Sequence, residues 1–90
     1  MYLVLYDIED DKLRTRFSKC LQKYGRRLQY SVFEVKNSAR ILDNIKTEIK
    51  TKFGKNFGQA DSVLIYNIDD NNCVGKFGHP VNEETDFLIL

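Results

Sequence analysis

The sequence predicts an α+β sandwich with both helices on one face of a sheet. Three observations lead there. Short β-branched and aromatic runs alternate with two stretches of helical apolar period, in the order strand, helix, strand region, helix, strand, strand. The chain has 90 residues, enough for one domain, taken as 1–90. No apolar run reaches the length that crosses a bilayer.

Tyr2–Ile8 is a continuous β-branched and aromatic run, expected as a central strand buried on both faces. It ends in acids, of which Asp10 or Asp11 can cap a helix and all favour a helix start. Leu13, Phe17, Cys20, Leu21 and Tyr24 recur at helical spacing, and Gly25 suits a C-cap, so the first helix is predicted over about Asp11–Tyr24. Arg26–Lys36 is rich in strand formers, as one bent strand or two short ones around Ser31. Asn37 or Ser38 caps a second helix with Ile41, Leu42, Ile45, Ile49 and Phe53 on one face, closed by Gly54 and Gly58. Asp61–Ile68 is another strand, Asp69–Asn72 a turn, and Cys73–Phe77 a short strand or ordered loop. Phe87–Leu90 reads as a last strand. Together these give the ferredoxin-like βαββαβ arrangement with an extra C-terminal strand. That terminal strand would be an aggregation hazard as an open edge. A chain this small also buries a modest core, so pairing in a homodimer is expected.

Charge is distributed in blocks. Net charge is +1, but residues 12–55 hold thirteen Lys or Arg against Glu34, Asp43 and Glu48, a surplus of +10. Residues 1–11 carry −4 and residues 56–90 carry −5. Such a block fits a polyanion partner, above all nucleic acid, or a solvated surface whose charges pair across the fold. Cys20 and Cys73 are too few and too far apart for a disulfide framework or zinc knuckle. His79, the one histidine, has no second nitrogen or sulfur ligand near it in sequence and belongs in a surface turn. The run Tyr2–Tyr6 is too short for a signal-peptide core, which predicts a cytoplasmic protein. Phosphate-binding glycine loops, serine–histidine pairs and HExxH are absent. Gly75-Lys76-Phe77-Gly78 lacks the aromatic-valine-aromatic continuation of an RNA-recognition motif.

Three constellations can carry chemistry. Asp7, at a strand exit beside a helix start, is placed to ligate a divalent metal if a two-fold axis brings a second Asp7 to it; otherwise it ends the strand or pairs with an arginine. Lys12, Arg16, Lys19 and Lys23 form a basic stripe on the first helix, next to its apolar face. Like charges at that spacing cost a helix a few tenths of a kcal/mol per pair, so the stripe suggests an external anion. Arg14 lies on the other flank, able to lean toward the sheet and Asp7. Arg26-Arg27, in a predicted loop, can chelate phosphate or serve the helix dipole. Of Tyr30 and Phe33, strand alternation sends one into the core and the other outward.

These residues spell a pattern. Tyr6-Asp7-Ile8, Asp11-Lys12, Arg14, Arg16, Tyr24-Gly25 and Arg27-Leu28-Gln29-Tyr30-Ser31-Val32-Phe33-Glu34 resemble the small core subunit of CRISPR adaptation. This is the CRISPR-associated protein two family, known as CRISPR-associated endoribonucleases or endonucleases. The matching block runs from Tyr2 to about Val35. The resemblance implies a ferredoxin-like homodimer whose C-terminal strands complete the partner's sheet. It implies Asp7 as catalytic residue and ligand of magnesium (Mg2+), or of manganese (Mn2+) in its place, facing its symmetry mate. Tyr6, Arg14, Arg16, Arg27 and Phe33 correspond to the family's functional motif. The implied activity is metal-dependent cleavage of RNA or duplex DNA, with activated water attacking in line and Arg14 or Arg16 neutralising the phosphate. The implied partners are nucleic acid and the CRISPR-associated integrase subunit, protein one, whose two dimers this subunit bridges during spacer capture.

Two other functions compete. One is a stand-alone ribonuclease toxin on the same fold. The other is a ferredoxin-like regulatory domain for a small metabolite, which leaves the thirteen bases of residues 12–55 unexplained and predicts no salt-dependent DNA binding.

Overall fold

In the computed structural model, which describes residues 1–79, the sheet is built outward from β1 (Tyr2–Asp7). β1 is flanked by antiparallel β3 (Val32–Val35) and antiparallel β4 (Ser62–Asn67). β2 (Gly25–Gln29) pairs outside β3 and β5 (Asn72–Gly78) outside β4, giving the order β2-β3-β1-β4-β5. This is the α+β, ferredoxin-like arrangement expected, with β5 as a fifth strand. The strand expected at Phe87–Leu90 lies outside the described residues.

The helices cover one sheet face. α1 (Asp11–Leu21) is capped by Asp10, whose carboxylate accepts from Leu13 N at 2.8 Å. α2 (Ala39–Glu48) is capped by Ser38, whose hydroxyl accepts from Ile41 N at 3.3 Å. Both caps satisfy amides that a helix start leaves unpaired. On β1 the side chains alternate: Tyr2, Val4 and Tyr6 are buried under the helices, while Leu3 and Leu5 are half-buried and Asp7 exposed on the other face. The strand is therefore fully buried on one face only. Phe17 of α1 joins the layers, meeting Tyr6 edge-on at 5.0 Å and Phe53 edge-on at 5.1 Å. Val4, Phe17, Phe33, Val63 and Ile65 have no exposed surface.

Two boundaries differ from the sequence expectation. α1 stops at Leu21, three residues early, and tightens into a turn in which Lys23 N bonds Cys20 O and Tyr24 N bonds Leu21 O. Gly25 is then the first residue of β2 rather than a helix cap. A Cβ there would lie 1.9 Å from the Glu34 carbonyl oxygen, so the close approach of β2 to β3 requires glycine. The second helix does not continue in α geometry to Phe53. It widens into a π turn over Ile49–Phe53 and closes with a tight turn at Gly54–Asn56. Ile45, Ile49 and Phe53 nevertheless all reach the core. Among the described residues no helix is long and apolar enough to cross a membrane.

Candidate nucleic-acid interface

β2 and α1 enclose the first groove. Arg26-Arg27 lies within β2, not in a loop, and strand alternation separates the two guanidinium groups. Arg26 turns to Glu34 across the hairpin, Nε to Oε1 at 3.2 Å, so the two arginines do not chelate one phosphate. Arg27 turns toward α1. It donates to the hydroxyl of buried Ser18 and stands 5.4 Å from the Phe33 ring. No acid pairs with it among the described residues.

Arg14 faces the same groove from α1. It donates to the carbonyl of Ile8 at 3.0 Å and Glu9 at 3.4 Å and pairs with Asp11. The hydrogen bond it donates to Asp11 raises its pKa. Arg14 thus leans onto the loop after β1 and onto Asp11, rather than onto Asp7. Its guanidinium carbon lies 5.9 Å from the Tyr30 ring. Tyr6, Thr15, Ser18, Lys19, Gln22 and Tyr30 complete an open groove of about 300 Å³. Three cations, hydroxyls and aromatic rings therefore converge in one place, the mixture that holds a phosphate backbone and stacks bases.

The aromatic pair is resolved. Phe33 is in the core, 6.2 Å from Tyr6, and supports Arg27 from beneath; it offers no surface to a ligand. Tyr30 is 69% exposed because a bulge between Arg27 and Gln29 and the turn at Tyr30–Ser31 carry it off the strand. Tyr6 is buried, with its hydroxyl donating to the Tyr30 carbonyl at 3.3 Å.

Lys12, Arg16 and Lys19 line exposed positions of α1, whereas Lys23 lies beyond the helix end. Lys23 is bound to Glu48, Nζ to Oε1 at 2.9 Å. Glu48 is a residue the sequence did not single out. It also accepts from Lys52 at 3.0 Å and from the Tyr24 hydroxyl. Burial disfavours its ionised form, but hydrogen bonds from Tyr24, Lys23, Lys52 and Cys20 prevail and bring its pKa down to about 2. Burial, then the Glu48 charge, pushes the Cys20 thiol up to about 11, which disfavours its thiolate. The local signal for Glu48 was only that of a lone acid among Lys46, Lys50 and Lys52.

Asp7 ends β1 opposite Ser62, exposed on the helix-free face. Among the described residues no three His, Cys, Asp or Glu side chains gather as a metal site. One chain therefore offers a divalent cation a single carboxylate, short of the six oxygen ligands magnesium takes. The loop beyond Asp7 is pinned by buried Asp61, which accepts from Glu9 N and Gly58 N, both at 2.8 Å.

Residues 1–75 match the family described as CRISPR associated protein Cas2. The CRISPR-associated endoribonuclease Cas2 4 of Rhodospirillum rubrum is 46% identical over 65 residues, 72% of this chain and 50% of that protein. The chain thus spans half the length of that relative. The CRISPR-associated endoribonuclease Cas2 3 of a Synechocystis species is 36% identical over 82 residues, 89% of this chain and 86% of its own length. Among solved structures, the crystal structure of Streptococcus pyogenes Cas2 superposes with a TM-score of 0.63 at 27% identity, covering 78% of this chain and 87% of that one. A hypothetical protein of Thermus thermophilus, TT1823, gives a TM-score of 0.65 at 33% identity, covering 74% of this chain and 78% of its own.

Proposed function

This chain belongs to the Cas2 family of CRISPR-associated proteins, and on that premise we propose that it acts in spacer adaptation as a dimeric clamp on nucleic acid that bridges integrase dimers. The observation that carries the clamp is the groove between α1 and β2, where Arg14, Lys19 and Arg27 converge beside Tyr30. Arg27 is the strongest phosphate ligand there. It is held by Ser18 and by the face of Phe33, and it meets no acid among the described residues. Arg14 is partly neutralised by Asp11, and Lys19, exposed on α1, supplies a further charge.

Dimerisation through the helix-free sheet face is part of the same proposal. Leu3 and Leu5 of β1 and Val32 of β3 share that face with Asp7, so a two-fold axis there brings two Asp7 carboxylates toward each other. Two such carboxylates and water oxygens make a shell that suits magnesium or manganese. The bound ion would lower the pKa of a water, the chemistry of a metal-dependent endonuclease on RNA or duplex DNA. Endoribonuclease or endonuclease activity is what the relatives' names carry, and it comes to this chain as part of the proposal.

The test is spacer integration in vitro with the cognate integrase subunit, comparing wild type, Asp7→Ala and Arg27→Gln. The clamp predicts that Arg27→Gln weakens duplex binding and integration together, while wild-type binding falls steeply as salt rises. Salt-independent or undetectable binding by the wild type would sink it. Normal integration by Asp7→Ala makes the protein a scaffold in that pathway. Collapse with dimer and binding intact gives the Asp7 site a direct part.

A further inference from the structure

We infer that a second length of nucleic-acid backbone lies in the groove between α1 and the widened turn after α2, across α1 from the Arg14–Arg27 groove. The inference rests on the nucleic-acid reading above and extends it to residues outside the block that carries the family resemblance. The second groove is open and about 720 Å³ in volume, with Arg16, Lys19, Lys52 and Lys55 among its cations and Thr51 and Asn56 as neutral donors. Lys19 lines both grooves, so the two cationic surfaces are continuous over the exposed side of α1.

Five features favour a polyanion there. Among the described residues Glu48 is the one acid lining the groove, and Lys23, Lys52 and Tyr24 already occupy it, so added cations find no described counter-charge. Lys19 and Lys55 make no ion pair or side-chain hydrogen bond among the described residues. Arg16 is steadied over the Phe53 ring, with its guanidinium carbon at 5.8 Å, an arrangement that keeps its charge available. Arg16 and Lys19 stand three positions apart on α1 with no acid between, a spacing that weakens the helix by a few tenths of a kcal/mol. The widened turn also has a role here. It lets Phe53 pack on Phe17 while Lys52 and Lys55 stay on the side facing α1. Continuous cations on both flanks of one helix suit a polymer with regularly repeated charge rather than a single small anion.

The experiment measures affinity of the full chain for a duplex of about thirty base pairs as a function of salt, for wild type, Lys55→Gln, Lys52→Gln/Lys55→Gln and Arg27→Gln, with thermal melts as the folding control. Each lost phosphate contact lowers the slope of log affinity against log salt by about 0.9. The inference predicts a drop of about one for Lys55→Gln and about two for the double variant, additive with Arg27→Gln. Lys55→Gln removes no ion pair or side-chain hydrogen bond among the described residues, so its result is independent of the Glu48 cluster. An unchanged slope for both lysine variants beside a reduced slope for Arg27→Gln overturns the second track and leaves the clamp standing. Unchanged slopes for all three overturn both. If the slopes hold but capture of the integrase subunit is lost, the groove is a protein dock and the inference is wrong.

Discussion

Replacing Glu48 with Gln tests whether the charge cluster at the end of α1 holds the helical layer together. The Glu48 side chain is only 13% exposed and serves Lys23, Lys52 and Tyr24 at once. Its pKa falls from 4.5 to about 2 in the folded chain. At about 1.4 kcal/mol per factor of ten, that is roughly 3 kcal/mol of preference for the ionised form. The two lysines are 53% and 61% exposed, and solvent screening at such positions cuts the figure to about 1–2 kcal/mol. A carboxylate whose folded pKa is depressed binds protons more readily when unfolded. Its contribution is therefore complete above pH 4.5 and is lost as pH falls toward about 2. At pH 7 Glu48→Gln should melt about 5–15 °C lower, and the gap should close between pH 4.5 and 2. Denaturant unfolding of both proteins across that range is the assay, since the other acids titrate in both and cancel in the difference. The Cys20 thiol should also titrate lower in the variant, read from its rate of alkylation against pH. A gap that stays constant down to pH 2 would mean that Glu48 acts through neutral hydrogen bonds and packing. No gap at pH 7 would mean that the cluster carries no stability.

Gly25→Ala puts a Cβ against the Glu34 carbonyl and must open the β2–β3 pairing, at a cost of about 2–3 kcal/mol. Faster amide exchange in β3 checks it, and a change under about 0.5 kcal/mol contradicts the close approach. Phe33→Ala should cost about 3–5 kcal/mol, because the ring has no exposed surface. Tyr30→Ala should leave stability within about 0.5 kcal/mol and instead weaken single-strand binding by about 1–3 kcal/mol if the ring stacks a base. Denaturation and titration of the same two variants decide, and the reverse pattern would show that the wrong ring was assigned to the core.

Much of the fold was legible because its signals are local. Asp10 and Ser38 cap helices whose apolar periods follow directly, and β1 and β4 announce themselves as short aliphatic and aromatic runs. What was not legible depends on distant contacts. The helical period of α1 runs through Tyr24, yet Lys23 and Tyr24 are drawn to Glu48, a partner 25 and 24 residues along the chain. Nothing local marks Gly25 as a crossing point of two strands, since a glycine after a helical period suits a cap equally well. Alternation predicted that one of Tyr30 and Phe33 would be buried, but the choice rests on a bulge and a turn. The candidate site was legible as charge, and its geometry was not. Arg26 and Arg27 look equivalent in the sequence and separate only when β2 forms.

Arg14 links the two halves of the site. Asp7 points to the helix-free face, while the cationic groove opens beside α1, and only the loop Ile8–Asp10 joins them. Arg14 holds that loop at the carbonyls of Ile8 and Glu9, and Asp61 holds it from the other side at Glu9 N. The arginine that borders the groove is therefore also an anchor of the loop that follows Asp7, whose own place is set by β1 pairing with Ser62. Removing it withdraws a cation from the backbone and loosens the loop next to the Asp7 carboxylate, so a loss of activity in Arg14→Ala combines two causes. Among the described residues Arg27 has no such second attachment: its partners are Ser18 and the Phe33 ring. The contrast between the two arginines separates binding from positioning. If binding alone matters, both substitutions act on affinity in parallel. If the Asp7 site does chemistry, only Arg14 substitution should also depress turnover at saturating nucleic acid.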